Sequence, residues 1–278
     1  MNRIFDTKFG RKSIEIIIWR GGEIPKTVYK YRDWNNSFHR KILSQQQIYL
    51  PSPAEFNDPF DCKLPIAYHL LENDTNLELE YISAFVNKYY AALSPELKEA
   101  KIKKILAQGN YKKPEAIYEL NNEIQEYINN YAGIYCITAI RDNILMWSHY
   151  ANNHTGFCVG FNSKLLFDCF HEGQDINYVK DFPLISPIDE KLIQWNKLVF
   201  TKSDMWDYEI EYRLYKQGKT KTTFTIPRES ITEIIVGYKM EETDIIDLRK
   251  IVSCELPHAN LFITKPKENK FEFEIIPL

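Results

Sequence analysis

The chain has 278 residues, 44% of them hydrophobic and 26% charged, with a formal net charge of −3. That length buries a full core, and a single α+β domain over 1–278 is expected in place of two small ones. Charges of both signs are interspersed, which disfavours nonspecific nucleic-acid binding while leaving room for a local basic groove, and no apolar run reaches a membrane span, so a cytoplasmic protein without a membrane partner is expected.

The first apolar run, Ile14 to Trp19, is β-branched and stops at Gly21-Gly22, so it reads as a strand closed by a turn. Val28 to Arg32 is a second strand whose alternation puts Lys30 and Arg32 on one face and Tyr29 and Tyr31 on the other. Ser37 to Gln47 reads as a short helix with Phe38, Ile42 and Leu43 inward, followed by a strand at Ile48 to Leu50. Three prolines between Pro51 and Asp61 forbid a regular element there. An ordered loop anchored by Phe56 and Phe60 is expected.

From about 76 to 131 the pattern turns polar and helical, with breaks at Ser94-Pro95, Gly109 and Pro114. Two or three helices forming an insertion beside a sheet are predicted. Gly133 to Thr138 is a strand, Asn143 to Asn153 a helix stopped near Gly156, and Gly156 to Phe161 another strand. A short helix near Asp189 to Trp195 precedes strands at Glu209 to Tyr215, Thr222 to Ile226 and Glu233 to Val236. Thr243 to Val252 is helical, and Asn260 to Thr264 with Lys270 to Ile276 closes the chain as a hairpin. The fold class is therefore α+β, a mixed and mostly antiparallel sheet with a helical insertion.

Four clusters concentrate the chemistry. Lys30 and Arg32 on one strand face can hold a diphosphate or carboxylate, or form a solvated strand face. Asn57-Asp58-Pro59-Phe60-Asp61 has two carboxylates but no calcium-loop spacing, and such sequences commonly build turns. On the Asp142 to His154 segment, helical spacing puts Trp147, Tyr150, Ala151 and His154 on one stripe and pairs His149 with Asn153. His149 and His154 are five apart, unlike the i, i+4 pair of zinc helices, so no metal is expected. Glu209, Glu211 and Arg213 share one strand face, either as a surface ladder or as acids poised to stabilise a developing positive charge. Ser148 lacks a nucleophile elbow and no phosphate or dinucleotide glycine loop occurs. The five cysteines, Cys62, Cys136, Cys158, Cys169 and Cys254, contain no Cys-x-x-Cys pair and read as reduced, buried thiols.

Tyr29-Lys30-Tyr31-Arg32, Ser52-Pro53, Phe56 to Asp61, Met146 to Ala151 with His154, Gly156-Phe157-Cys158, Trp206 and Tyr208 to Arg213 together resemble the bacterial family catalogued as domain of unknown function 2971. More distantly, the chain is similar to ADP-ribosyltransferases in the order of its elements. A cationic strand leads into a helix and a small strand. Gly133-Ile134-Tyr135 leads into a helix and another strand. A final strand, Glu211 to Tyr215, carries an acid. Lys30 or Arg32 stands where many of those enzymes have His, no Ser-Thr-Ser motif precedes the strand, and Glu209 competes with Glu211.

That resemblance implies a split sheet and an NAD-consuming transferase, a toxin or phage-defence effector, acting on a protein or nucleic-acid acceptor without a metal. NAD would be the nucleotide substrate. Glu211, Arg32 and His149 would be catalytic, with Lys30, Tyr135, Ser148, Tyr150 and Glu209 in the nucleotide site. The alternatives are a non-enzymatic module that senses a nucleotide or a protein, and a metal-dependent nuclease or phosphoesterase using Asp58, Asp61, His149 and His154.

Overall fold

β-Branched and aromatic residues in Thr27–Arg32 make the strand on which the molecule is organised, with Val28, Tyr29 and Tyr31 buried and Lys30 and Arg32 partly open. A computed structural model gives the fold, and the structure describes residues 18–19, 24–170 and 172–278. Of the expected first strand only β1, Ile18–Trp19, is described; Ile14 to Ile17 and Gly21-Gly22 lie outside the described residues.

In chain order β2 is Thr27–Arg32, α1 is Ser37–Ser44 and β3 is Gln47–Leu50. Helices α2 (Leu70–Asn73), α3 (Thr75–Tyr89), α4 (Pro95–Gln108) and α5 (Pro114–Tyr131) follow, and the last three match the expected helical block. Next come β4 (Ala132–Thr138), α6 (Ile144–Tyr150), β5 (Phe157–Asn162), α7 (Ser163–Phe167), β6 (Glu172–Asp175) and β7 (Asn177–Val179). Then α8 (Lys191–Val199), β8 (Thr201–Ser203), β9 (Glu211–Gln217) and β10 (Thr222–Thr225) lead to β11 (Ile231–Val236), α9 (Glu242–Glu255) and the hairpin of β12 (Asn260–Pro266) and β13 (Phe273–Pro277).

The large sheet runs β1-β6-β9-β4-β2-β5-β11-β12-β13, and among the described residues only its β1–β6 and β11–β12 ladders are parallel. The fold is thus α+β with a mixed, mostly antiparallel sheet. Small two-stranded ladders join β3 to β10 and β7 to β8. The strands flanking α6 do not pair with each other, because β2 lies between β4 and β5.

Three apolar clusters hold the sheet. One packs Ile42 and Leu43 of α1 and Leu248 of α9 against Val28, Tyr135, Val159 and Leu214. A second packs α5 and α8 on Ile134 and Tyr215, and the third seats Trp147 of α6 on Tyr29 and Tyr31. Trp147 is fully buried, meets Tyr31 edge-on at 5.1 Å, and donates from its indole nitrogen to Arg141 O at 3.0 Å. A Trp ring combines large apolar area with one polar atom that needs a partner, and here both are provided. The short helix is thereby fixed over β2.

Several local expectations give way to tertiary packing. Helix α1 ends at Ser44, not Gln47, because Gln46 turns at φ 52° and leads directly into β3. Phe38 is 71% exposed and only Ile42 and Leu43 point inward. In the proline loop Phe56 packs on the second cluster, whereas Phe60 is exposed and meets Phe182 instead. Helix α6 stops at Tyr150, since Asn152, Asn153 and His154 all adopt positive φ. That left-handed run removes Asn153 and His154 from the helical stripes. Cys62 and Cys158 are buried, Cys136 and Cys169 partly so, and Cys254 is exposed, contrary to a uniformly buried set.

Candidate functional site

Strands β2 and β4 are neighbours through a single residue pair, Tyr29 with Thr138. Beyond it they diverge, although β2 continues to pair with β5 as far as Arg32–Phe157 and β4 with β9 along its whole length. The divergence opens a cavity of about 800 Å³ lined by Lys30 and Arg32, by Ile134 to Thr138, by Glu209 and Glu211, and by α1, β3, the 51–61 loop and α6. This is within the size range of small-molecule sites, roughly 300–1,000 Å³.

Side-chain alternation places Glu211 and Arg213 on the face of Cys136 and Thr138, and Lys30 and Arg32 on the opposite face with Tyr135. In a continuous sheet these two sets could not share a ligand. The gap between β2 and β4 connects the faces, and Cys136, Thr138 and Glu211 from one set and Lys30, Arg32 and Tyr135 from the other line the one cavity, whereas Arg213 does not.

The acidic end is a buried ion network. Arg213, fully buried, donates to Glu211 Oε1 at 2.7 Å, Asp61 Oδ2 at 2.6 Å and Val199 O at 2.5 Å. Lys202 Nζ donates to Glu209 Oε2 at 2.5 Å and Glu211 Oε2 at 3.0 Å, and lies 3.9 Å from Asp61 Oδ2. Tyr150 gives its hydroxyl to Glu209 Oε1 at 2.6 Å. Burial favours protonation of Glu211, yet Arg213 and Lys202 outweigh it and hold the carboxyl well below the usual range. Glu209 is pushed the other way, by burial and by the Glu211 charge, against the pull of Lys202 and Tyr150. Burial works against the Lys202 ammonium, but Glu211 and Glu209 raise its pKa well above the ordinary lysine value.

Local backbone makes this convergence. Glu209 does not belong to the strand, as alternation suggested; it ends a 3-10 turn over Asp204–Glu209, and β9 begins at Glu211. Ile210 between them sits at φ 41°, a left-handed conformation costly for a β-branched residue. The kink brings two successive acids onto one lysine. Nor is the cluster a surface ladder: Glu209, Glu211 and Arg213 are 3%, 4% and 0% exposed.

At the cationic end, Lys30 Nζ and the Arg32 guanidinium lie 5.4 and 5.7 Å from the centre of the Tyr135 ring. Tyr135 is buried, and its hydroxyl oxygen finds no hydrogen-bond partner of acceptable geometry among the described residues. Burial lifts the phenol to about 12 against the opposing pull of Arg32. Burial and then the Arg32 charge lower the Lys30 amine to about 8. Gly156 fixes this end of β2, because a Cβ there would stand 2.1 Å from Arg32 O.

Of the residues singled out from sequence, Lys30, Arg32, Tyr135, His149, Tyr150, Glu209 and Glu211 all line the cavity. His149 is exposed and packs beside Tyr150, Trp206 and Tyr208. Ser148 does not line it; its hydroxyl bonds to Ile144 O at 2.9 Å and lies 3.0 Å from the His154 ring. Asp58 accepts from Phe60 N, Asp61 pairs with Arg213, His154 meets Ser148 and His149 packs on aromatic rings, so the four residues of the nuclease alternative have separate contacts. No group of three or more His, Cys, Asp or Glu side chains among the described residues is arranged to hold a metal ion. Likewise, no helix among them is long and apolar enough to cross a membrane.

Lys202 was invisible in sequence, a single lysine in Thr201-Lys202-Ser203 with no motif around it. Arg213 and Asp61 were noticed for other reasons, but their pairing across 152 positions leaves no local trace.

Comparison with curated proteins and with solved structures yields no match. Residues 146–214, which run from α6 into β9 and include His149, Tyr150, Lys202, Glu209, Glu211 and Arg213, match the family model described as a protein of unknown function, DUF2971.

Proposed function

We propose that the chain is an NAD-consuming enzyme of ADP-ribosyltransferase type, transferring ADP-ribose from NAD to an acceptor. The observation that carries the reading is the convergence of Arg32, Tyr135 and Glu211, from three adjacent strands, on one nucleotide-sized cavity where the sheet divides. The cavity also carries the cations Lys30 and Arg32 at the β2 end and, at the β9 end, the carboxylates Glu209 and Glu211 paired with Lys202 and Arg213. NAD has matching poles, a diphosphate and a positively charged nicotinamide ring.

In this reading Arg32, helped by Lys30, holds diphosphate or ribose oxygens through charge-assisted hydrogen bonds. Tyr135 or Tyr150 packs against a base. The bond between ribose C1 and the nicotinamide nitrogen breaks, the electron pair leaves with nicotinamide, and the sugar passes through an oxocarbenium-like state. Glu211, with Glu209 beside it, stabilises that cation more than it stabilises bound NAD, which is the condition for acceleration. The acceptor then bonds to C1 and releases its proton, and His149 at the rim is placed to orient the acceptor or take that proton.

The test is nicotinamide release from NAD by the whole protein, with cell extract as the source of acceptor. Wild type should release nicotinamide, and Glu211→Gln should lower the rate at least about 100-fold, the scale for loss of one transition-state charge interaction. Ser148→Ala, outside the cavity, should leave it unchanged. Equal rates for wild type and Glu211→Gln, or no release with any extract, would refute the assignment.

A further inference from the structure

Lys30 has no part in the ion network that joins Asp61, Lys202, Glu209, Glu211 and Arg213. The nearest carboxylates, Glu209 and Glu211, already have Lys202 and Arg213 at 2.5 to 3.0 Å. Lys30 makes no salt bridge or side-chain hydrogen bond among the described residues. Its neighbours are the Arg32 guanidinium and the Tyr135 ring, whose centre lies 5.4 Å from Nζ. A lysine in a confined site, beside a second cation and without an acid of its own, is the arrangement that turns an ammonium into a free amine.

We propose that Lys30 is a nucleophilic amine that condenses with an aldehyde or ketone whose phosphate or carboxylate is held by Arg32. The Nζ lone pair bonds to the carbonyl carbon while the carbonyl π pair moves to oxygen. That oxygen takes up the proton released from nitrogen, and loss of water leaves an imine, with nothing oxidised or reduced. Tyr135, whose ring centre lies 5.4 Å from the Lys30 amine, would donate its hydroxyl to the carbonyl oxygen.

The charged and titratable groups around Lys30 are Arg32 on its own strand, His39 from α1, Tyr135 and Cys136 from β4, Cys158 from β5, Glu211 from β9 and Glu209 from the preceding turn. Burial and Arg32 outweigh Cys136, Glu211 and Glu209 and lower the amine to about 8. His39 adds no charge near neutrality, since burial and Arg32 lower it to about 4. This inference does not depend on NAD being the substrate, and its readout is independent of nicotinamide release.

The probe is pyridoxal 5′-phosphate, which joins an aldehyde to a phosphate. The whole protein would be treated with less than one equivalent at about pH 7, reduced with borohydride and mapped by peptide mass spectrometry. At that pH the free-amine fraction of an amine near 8 exceeds that of an ordinary lysine roughly 200-fold. Lys30 should therefore be labelled at least about tenfold faster than exposed lysines such as Lys103 and Lys250. Excess inorganic phosphate should slow labelling, and pyridoxal lacking the phosphate should label Lys30 more slowly. Label spread over exposed lysines with Lys30 unmodified would overturn the proposal, and equal rates for pyridoxal with and without phosphate would overturn the part given to Arg32. These arms use wild-type protein, and Lys30→Arg, retaining charge, should remove the label at that position.

Discussion

Replacing Arg213 by Met removes the cation that ties the 51–61 loop and the end of α8 to β9. The side chain is fully buried, and its loss strips Asp61 Oδ2 and Glu211 Oε1 of partners at 2.6 and 2.7 Å and Val199 O of a donor at 2.5 Å. Breaking a buried pair by removing one partner costs about 3–5 kcal/mol, because the remaining charge is left in a poor solvent. Lys202 stays 3.0 Å from Glu211 and 3.9 Å from Asp61 and compensates in part, which points to the lower end, about 3 kcal/mol. Equilibrium urea unfolding at about pH 7 measures this directly. Adding Asp61→Asn and Glu211→Gln should restore much of the loss, since the amides carry no uncompensated charge. The pH dependence has a fixed sign: Glu211 is depressed in the folded protein, so its contribution is present above the unfolded value, about 4.3, and is lost as pH falls through the lower folded value. The gap between wild type and variant should narrow in acid. A loss under about 1 kcal/mol at neutral pH, or no recovery in the triple variant, would refute this account of the network.

Lys30→Met should stabilise the protein by on the order of 2 kcal/mol at about pH 7, because folding places this ammonium where it is disfavoured. The folded amine is lowered to about 8, so its unfavourable contribution is complete below that value and fades as pH rises towards the unfolded value of about 10.4; the variant's advantage in urea unfolding should fade with it. Gly156→Ala forces a methyl to within 2.1 Å of Arg32 O and should cost about 1–3 kcal/mol, read as a lower thermal midpoint, and on the proposed function it should also weaken NAD binding as β2 shifts.

The sequence by itself determined many of the elements, though not α2, α7, β6, β7 or β8, and drew attention to most of the charged and aromatic side chains that line the cavity. β-Branched and aromatic alternation located β2, β4, β5, β9 and β11, and the prolines and glycine at 95, 109 and 114 separated the insertion helices, because these signals depend on neighbours within a few residues. The cavity residues Lys30, Arg32, Tyr135, Tyr150 and Glu211 stood out for the same reason, being unusual side chains on recognisable strands and a helix. Only tertiary structure decided that β2 inserts between β4 and β5, that β2 and β4 separate after one pair, and that side chains from opposite sheet faces thereby line one space. It also withdrew Ser148 from the cavity, placed Glu209 in a turn and supplied Lys202 as the shared partner of two acids. Strand order and ion pairing are contacts between distant segments, set by which apolar faces can be buried together and which charges must be neutralised once they are, and no local pattern records them.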